Sequence, residues 1–126
     1  RMSVSELCHA AVVYAGLGQQ DLAFDYLFEA NKLFDQMLDN SARVFAGCLH
    51  RHAFDLIISP EQRAAAYAAM AERHRQQQDF KLAAKMYQAA AKKDPSHPEY
   101  LQQLHLLMRQ LGLSKFRGIT LPATLL

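Results

Sequence analysis

Residues 64–98 read AAAYAAMAERHRQQQDFKLAAKMYQAAAKKDPSHP. Two helical runs flank a polar hinge, Gln76-Gln77-Gln78-Asp79, and the second run closes on Asp94-Pro95. Apolar and small residues fall at Tyr67, Met70, Ala71, Ala83, Tyr87, Ala90 and Pro95. Three- and four-residue spacing puts such residues on one face of a helix. Small residues on facing positions let two helices approach closely, and an aromatic fills the space beside them. The stretch is therefore a helical hairpin with a small-residue seam.

The order of these residues resembles the tetratricopeptide (TPR) pattern: large, Leu-like and small residues on one helix, an Ala, an aromatic and another Ala on the next, and a closing Pro. A second copy stands at the other end of the chain. Leu7, Ala10, Ala11, Tyr14, Ala23, Leu27 and Ala30 fall in the slots of Tyr67, Met70, Ala71, His74, Ala83, Tyr87 and Ala90. The first copy departs from the pattern at its end, where Asp35 stands in place of Pro. The matching copies lie sixty residues apart, whereas TPR units recur at about 34. A single long helix between them is either an irregular insertion or half of a hairpin with the helix that follows.

Working outward, Ser3-Val4-Ser5-Glu6 is a capping box that starts the first helix, and Gly16-Leu17-Gly18 stops it. A second helix is expected over residues 21–37. Asp39-Asn40-Ser41 can cap a third, over residues 42–58, whose Val44, Phe45, Cys48, Leu49, Phe54, Leu56, Ile57 and Ile58 suggest a central helix. Ser59-Pro60-Glu61-Gln62 reads as cap, first-turn proline and box for the fourth. Tyr100, Leu101, Leu104, Leu107, Met108 and Leu111 mark a sixth helix ended by Gly112. The fold expected is all-α: about six antiparallel helices in a TPR-like hairpin array, irregular in register. Residues 1–112 form one domain in this reading. Residues 113–126, LSKFRGITLPATLL, form an apolar tail, extended or packed on the domain.

Composition bounds the function. The chain has 126 residues, half of them apolar, and a formal charge of +2. That balance points to neither nucleic acid nor membrane, and no run is long and apolar enough to span a bilayer. Arg1-Met2 does not open like a secretory leader, so the natural protein is expected to extend further. Cys8 and Cys48 lie in apolar helical runs and read as buried thiols of a reduced, cytoplasmic chain.

Sequence offers little chemistry. Glu6-Leu7-Cys8-His9 has the Glu-x-x-His spacing of carboxylate-bridged metal pairs, but a second such motif is missing and Glu6 is already a capping residue. His50 and His52 lie two apart, on nearly opposite helix faces, and read as a solvated edge. Paired-cysteine spacing, a glycine-rich phosphate loop and a nucleophile elbow are all missing. The expectation is no enzyme, no cofactor and no metal, with a metal-dependent helical enzyme as the third-ranked function.

The resemblance implies a protein–protein interaction module, as an adaptor, a scaffold subunit or a small chaperone. Its partner would be an apolar helix or extended segment in a groove lined by the first helix of each pair. In this chain those positions are Cys8, Val12 and Ala15, then Ala65, Ala68, Glu72 and Arg75, then Gln102, Leu106 and Arg109. The best-known TPR subclass clamps a terminal carboxylate with Lys and Asn. Here Cys8, Val12 and Ala68 stand at those places and cannot do so. The alternative is an RNA-binding helical repeat, for which Lys81, Lys85, Lys92 and Lys93 give some basis; Glu72, Asp79 and Asp94 interrupt it. An unsealed end or the apolar tail leaves homo-oligomers open.

Overall fold

A computed structural model describes residues 2–125. Among them the regular structure is almost wholly helical: α1 (Val4–Gly16), α2 (Gln20–Asp35), α3 (Asn40–Ile57), α4 (Arg63–Gln76), α5 (Phe80–Lys93) and α6 (Pro98–Leu111), then two short strands, β1 (Lys115–Phe116) and β2 (Ile119–Thr120). This is the all-α, six-helix architecture that the repeat pattern implies. Packing divides the chain into two compact units, Arg1–Pro60 and Glu61–Leu126.

In the first unit, the Glu6 amide donates to Ser3 Oγ at 3.2 Å and the Ser3 amide to Glu6 Oε1 at 3.0 Å, so the capping box forms. The backbone bond from Ser3, then its hydroxyl, hold the Glu6 carboxyl below its ordinary range. α1 and α2 make a hairpin closed by Ala11, Ala23, Leu27, Phe28 and Ala30, all without exposed surface. Tyr14 and Tyr26 stack across it with ring centroids 5.4 Å apart. α2 stops at Asp35, short of the expected Met37.

The third helix differs most from expectation. Asp39 caps it, accepting from the Ala42 amide at 2.7 Å, and it packs on both α1 and α2. Its inner face is Ala46, His50, Ala53, Phe54 and Ile57. Val44, Phe45 and Leu56 are 61%, 66% and 61% exposed, and Cys48 is exposed too. Helical phase explains the correction. Phe45 and Phe54 are nine residues, or about two and a half turns, apart, so they lie on opposite sides. Gly47 lets α2 approach closely: a Cβ there would lie 3.1 Å from the Phe34 ring.

His50 is a second correction. It is buried, with Nε2 3.1 Å from the Leu27 carbonyl. Burial depresses its pKa, partly offset by that carbonyl. His52 alone keeps the solvated place expected for both. Of the two free thiols, Cys8 is buried and Cys48 is exposed; burial pushes Cys8 up to about 11.

In the second unit, the expected box at Ser59 does not form. Pro60–Gln62 makes a 3₁₀ turn, and α4 begins at Arg63 with no side-chain cap bond from Gln62, a common way for helices to begin. All the seam residues of α4 and α5 are buried: Tyr67, Met70, Ala71, His74, Ala83, Tyr87 and Ala90. α6 packs on α5 and adds Leu104, Leu107 and Met108 to the core. The tail is not simply extended. β1 and β2 pair antiparallel through Arg117 (φ 48°) and Gly118 (φ 86°), both left-handed as a tight hairpin turn requires. Phe116 and Leu121 are buried, and the Leu121 amide donates to the Ser114 carbonyl at 2.7 Å.

Three helices end alike. After α1, the Gln19 amide donates to Tyr14 O at 2.9 Å and Gly18 to Ala15 O at 3.0 Å. After α4, Asp79 donates to His74 O and Gln78 to Arg75 O, each at 2.9 Å. After α6, Leu113 donates to Met108 O at 2.8 Å and Gly112 to Arg109 O at 3.1 Å. Each turn has one left-handed residue: Gly18 (φ 80°), Gln78 (φ 63°) and Gly112 (φ 73°). The pair of bonds satisfies carbonyls that a helix end would otherwise leave open. Gly18 and Gln78 are sixty residues apart, whereas Gln78 and Gly112 are 34 apart. Both spacings are thus real. Thirty-four separates successive first helices within the second unit, and sixty separates one hairpin-plus-helix unit from the next. α3 is the third helix of its unit, as α6 is of the other.

Candidate functional site

Ala65, Ala68, Glu72 and Arg75 follow one another at three- and four-residue spacing along one face of α4. Ala65 is exposed and the other three are half-buried. On α6, Gln102, Leu106 and Arg109 form a similar line and are all exposed, Leu106 to 53%. Arg75 joins the two helices: its Nη2 donates to Gln103 Oε1 at 2.8 Å. Its guanidinium lies 5.5 Å from the centroid of the Tyr87 ring, and its Nη1 is 3.6 Å from Glu72 Oε2. The Tyr87 hydroxyl donates to the same Glu72 oxygen. Burial, then Glu72, raise the Tyr87 phenol well above its ordinary range.

This network changes what Glu72 and Arg75 do. Both are tied to the helix packing of the second unit. Ala65, Gln102, Leu106 and Arg109 are left exposed, with Ala68 half-buried beside Ala65 on the same helix. In the first unit, Cys8 is buried and Val12 and Ala15 are half-buried on a helix that packs against both of its neighbours. Cys8 is therefore a core residue, with little surface to offer a partner.

Sequence reasoning missed two features. One is a cavity of about 580 Å³ between α5 and α6, outside the groove positions apart from Gln102. The other is the charge of each unit. Residues 1–60 hold four basic and seven acidic side chains, and residues 61–126 hold ten and five. The net charges, −3 and +5, combine to the +2 of the whole chain. Taking the halves separately would have found the asymmetry.

Among the described residues, no group of three or more His, Cys, Asp or Glu is placed to hold a metal. No helix among them is long and apolar enough to cross a membrane.

The tetratricopeptide repeat family model matches residues 64–107, which is α4, α5 and most of α6. This is a TPR-like helical repeat domain. The TPR-like chain is accordingly, in general terms, a protein–protein interaction module. No curated protein and no solved structure matches it.

Proposed function

We propose that the TPR-like chain acts as an adaptor or scaffold subunit by holding an apolar helix or extended segment of another protein against α4 and α6. The surface would run from Ala65 and Ala68 to Gln102, Leu106 and Arg109, with Glu72 and Arg75 as its fixed wall. One observation supports the reading: α4, with Ala65 exposed and Ala68 half-buried, is joined by Arg75 and Gln103 to α6, which leaves Leu106 53% exposed. Open small residues admit a partner backbone, and an exposed leucine gives an apolar side chain something to cover. The groove carries no pair of Lys and Asn to grip a carboxylate, so side-chain burial rather than end-group recognition would provide the affinity.

The test is capture of the partner from the source cells by the tagged chain, repeated with Ala68→Arg and with Leu106→Asp. Each variant should cut recovery at least about tenfold with an unchanged far-ultraviolet circular dichroism spectrum. Full recovery by both would rule out this face. The RNA reading predicts instead an affinity that falls steeply with salt and is lost in Lys81→Glu with Lys85→Glu.

A further inference from the structure

The turn that ends α1 leads into α2, and the same turn after α4 leads into α5. After α6 it leads into a β-hairpin. α6 is thus the first helix of a pair whose second helix this stretch of chain does not supply. The 34-residue spacing between Gln78 and Gly112 fixes the register. Tyr67, Met70, Ala71 and His74 of α4 correspond to Leu101, Leu104, His105 and Met108 of α6. On α4 all four are buried in the seam with α5. On α6 only Leu104 and Met108 are buried, while Leu101 is 38% exposed and His105 is half-buried.

The cavity of about 580 Å³ opens at those two uncovered positions. Ala91 and Pro95 on the α5 side, Leu101 of α6 and Ile119 of the hairpin give it apolar walls. Lys92 and His105 also line it, and none of its lining residues is a carboxylate. It lies in a unit of net charge +5.

We infer that this cavity takes one amphipathic helix of a partner protein, which stands against α6 as α5 stands against α4. Its apolar face covers Leu101 and His105, and acidic side chains on its flank meet Lys92. A helix suits the opening because Leu101 and His105, one turn apart, correspond to positions that a helix covers in the preceding pair. Charge requires an acidic flank because a like-charged helix would meet Lys92 unpaired. This site shares only Gln102 with the face of Ala68 and Leu106, so either can fail alone.

The probe is a synthetic amphipathic peptide of about 14 residues, with Ala and Leu on one face and Glu on the flanks. A second peptide carries Lys at every Glu position. The whole chain should bind the first, with nuclear magnetic resonance shift changes centred on Leu101 and His105. Leu101→Asp should weaken binding at least about tenfold, and the exposed Lys92→Glu should weaken it while leaving the thermal melt unchanged. Ala68→Arg should have no effect. Equal binding of the Lys-flanked peptide, or shifts centred on Ala68 and Leu106, would overturn the inference. So would no binding, or self-association of the chain through Leu101 in the absence of peptide.

Discussion

Gln78 holds the left-handed backbone that Gly18 and Gly112 hold in the equivalent turns. A side chain in that region costs about 1–2 kcal/mol, whereas glycine is free of the Cβ clash. Gln78→Gly is expected to raise stability by up to about 1 kcal/mol, since glycine's larger unfolded-state entropy offsets part of the relief. Gly18→Ala should lower it by about 1 kcal/mol. Nothing lies within 4 Å of a Cβ at Gly18, so that loss would be conformational and not steric. Urea midpoints of the two variants check both signs. His50 gives the residue-scale prediction on pH. Its folded pKa lies below the ordinary 6.5, so below that pH the unfolded chain binds a proton that the folded chain resists. Stability should be full above pH 6.5 and should be lost as pH falls through the lower folded value. His50→Gln should flatten the change in urea midpoint between pH 7.5 and 5.5, which brackets the ordinary histidine value. A wild-type midpoint that rises toward pH 5.5 would refute the burial of a neutral imidazole.

At the scale of elements, the two hairpins were legible and the third helix was only half so. The hairpins could be read because their seams use small residues at fixed spacing, and Ala83 and Ala90 have no exposed surface. Ala83→Leu or Ala90→Leu should cost roughly 1–3 kcal/mol by forcing the helices apart; a melting temperature as high as wild type would mean that the seam is looser than it stands. α3 had its length and its cap in view but not its phase. Its large residues divide, Phe54 and Ile57 pointing inward with Ala46 and Ala53 while Phe45 and Leu56 point outward, so counting apolar residues could not tell the two faces apart. The β-hairpin also had a visible signal, Arg117-Gly118 between Phe116 and Ile119, which a search for helical period passes over. Sequence put ten positions in one groove, of which only Ala65, Gln102, Leu106 and Arg109 are exposed. It could not show that Arg75 bridges to Gln103 and Tyr87, because a residue's register says nothing of what its side chain reaches across a helix boundary.

At the scale of the molecule, the net charge of +2 concealed an acidic unit and a basic one, and the sixty-residue spacing concealed a plan of hairpin plus third helix. Each unit has its own buried centre. In the second, Met70, Ala71, His74, Ala83, Ala84, Ala90, Leu104 and Met108 have no exposed surface, and every one comes from α4, α5 or α6. A core made wholly from local sequence does not need distant chain to form it, although a domain near 60 residues buries only about 60% of its unfolded surface and is correspondingly marginal. The fragment Glu61–Leu126 should therefore fold alone, with a helical circular dichroism spectrum and one cooperative urea transition. Its urea slope should be smaller than that of the whole chain, because the slope scales with the surface exposed on unfolding. Gln78→Gly should raise the fragment's midpoint as it raises that of the full chain, since the turn it relieves lies entirely within the fragment. A fragment that is unstructured in buffer would show that this core depends on residues 1–60, and that the sixty-residue plan is a pattern of sequence without a matching unit of folding.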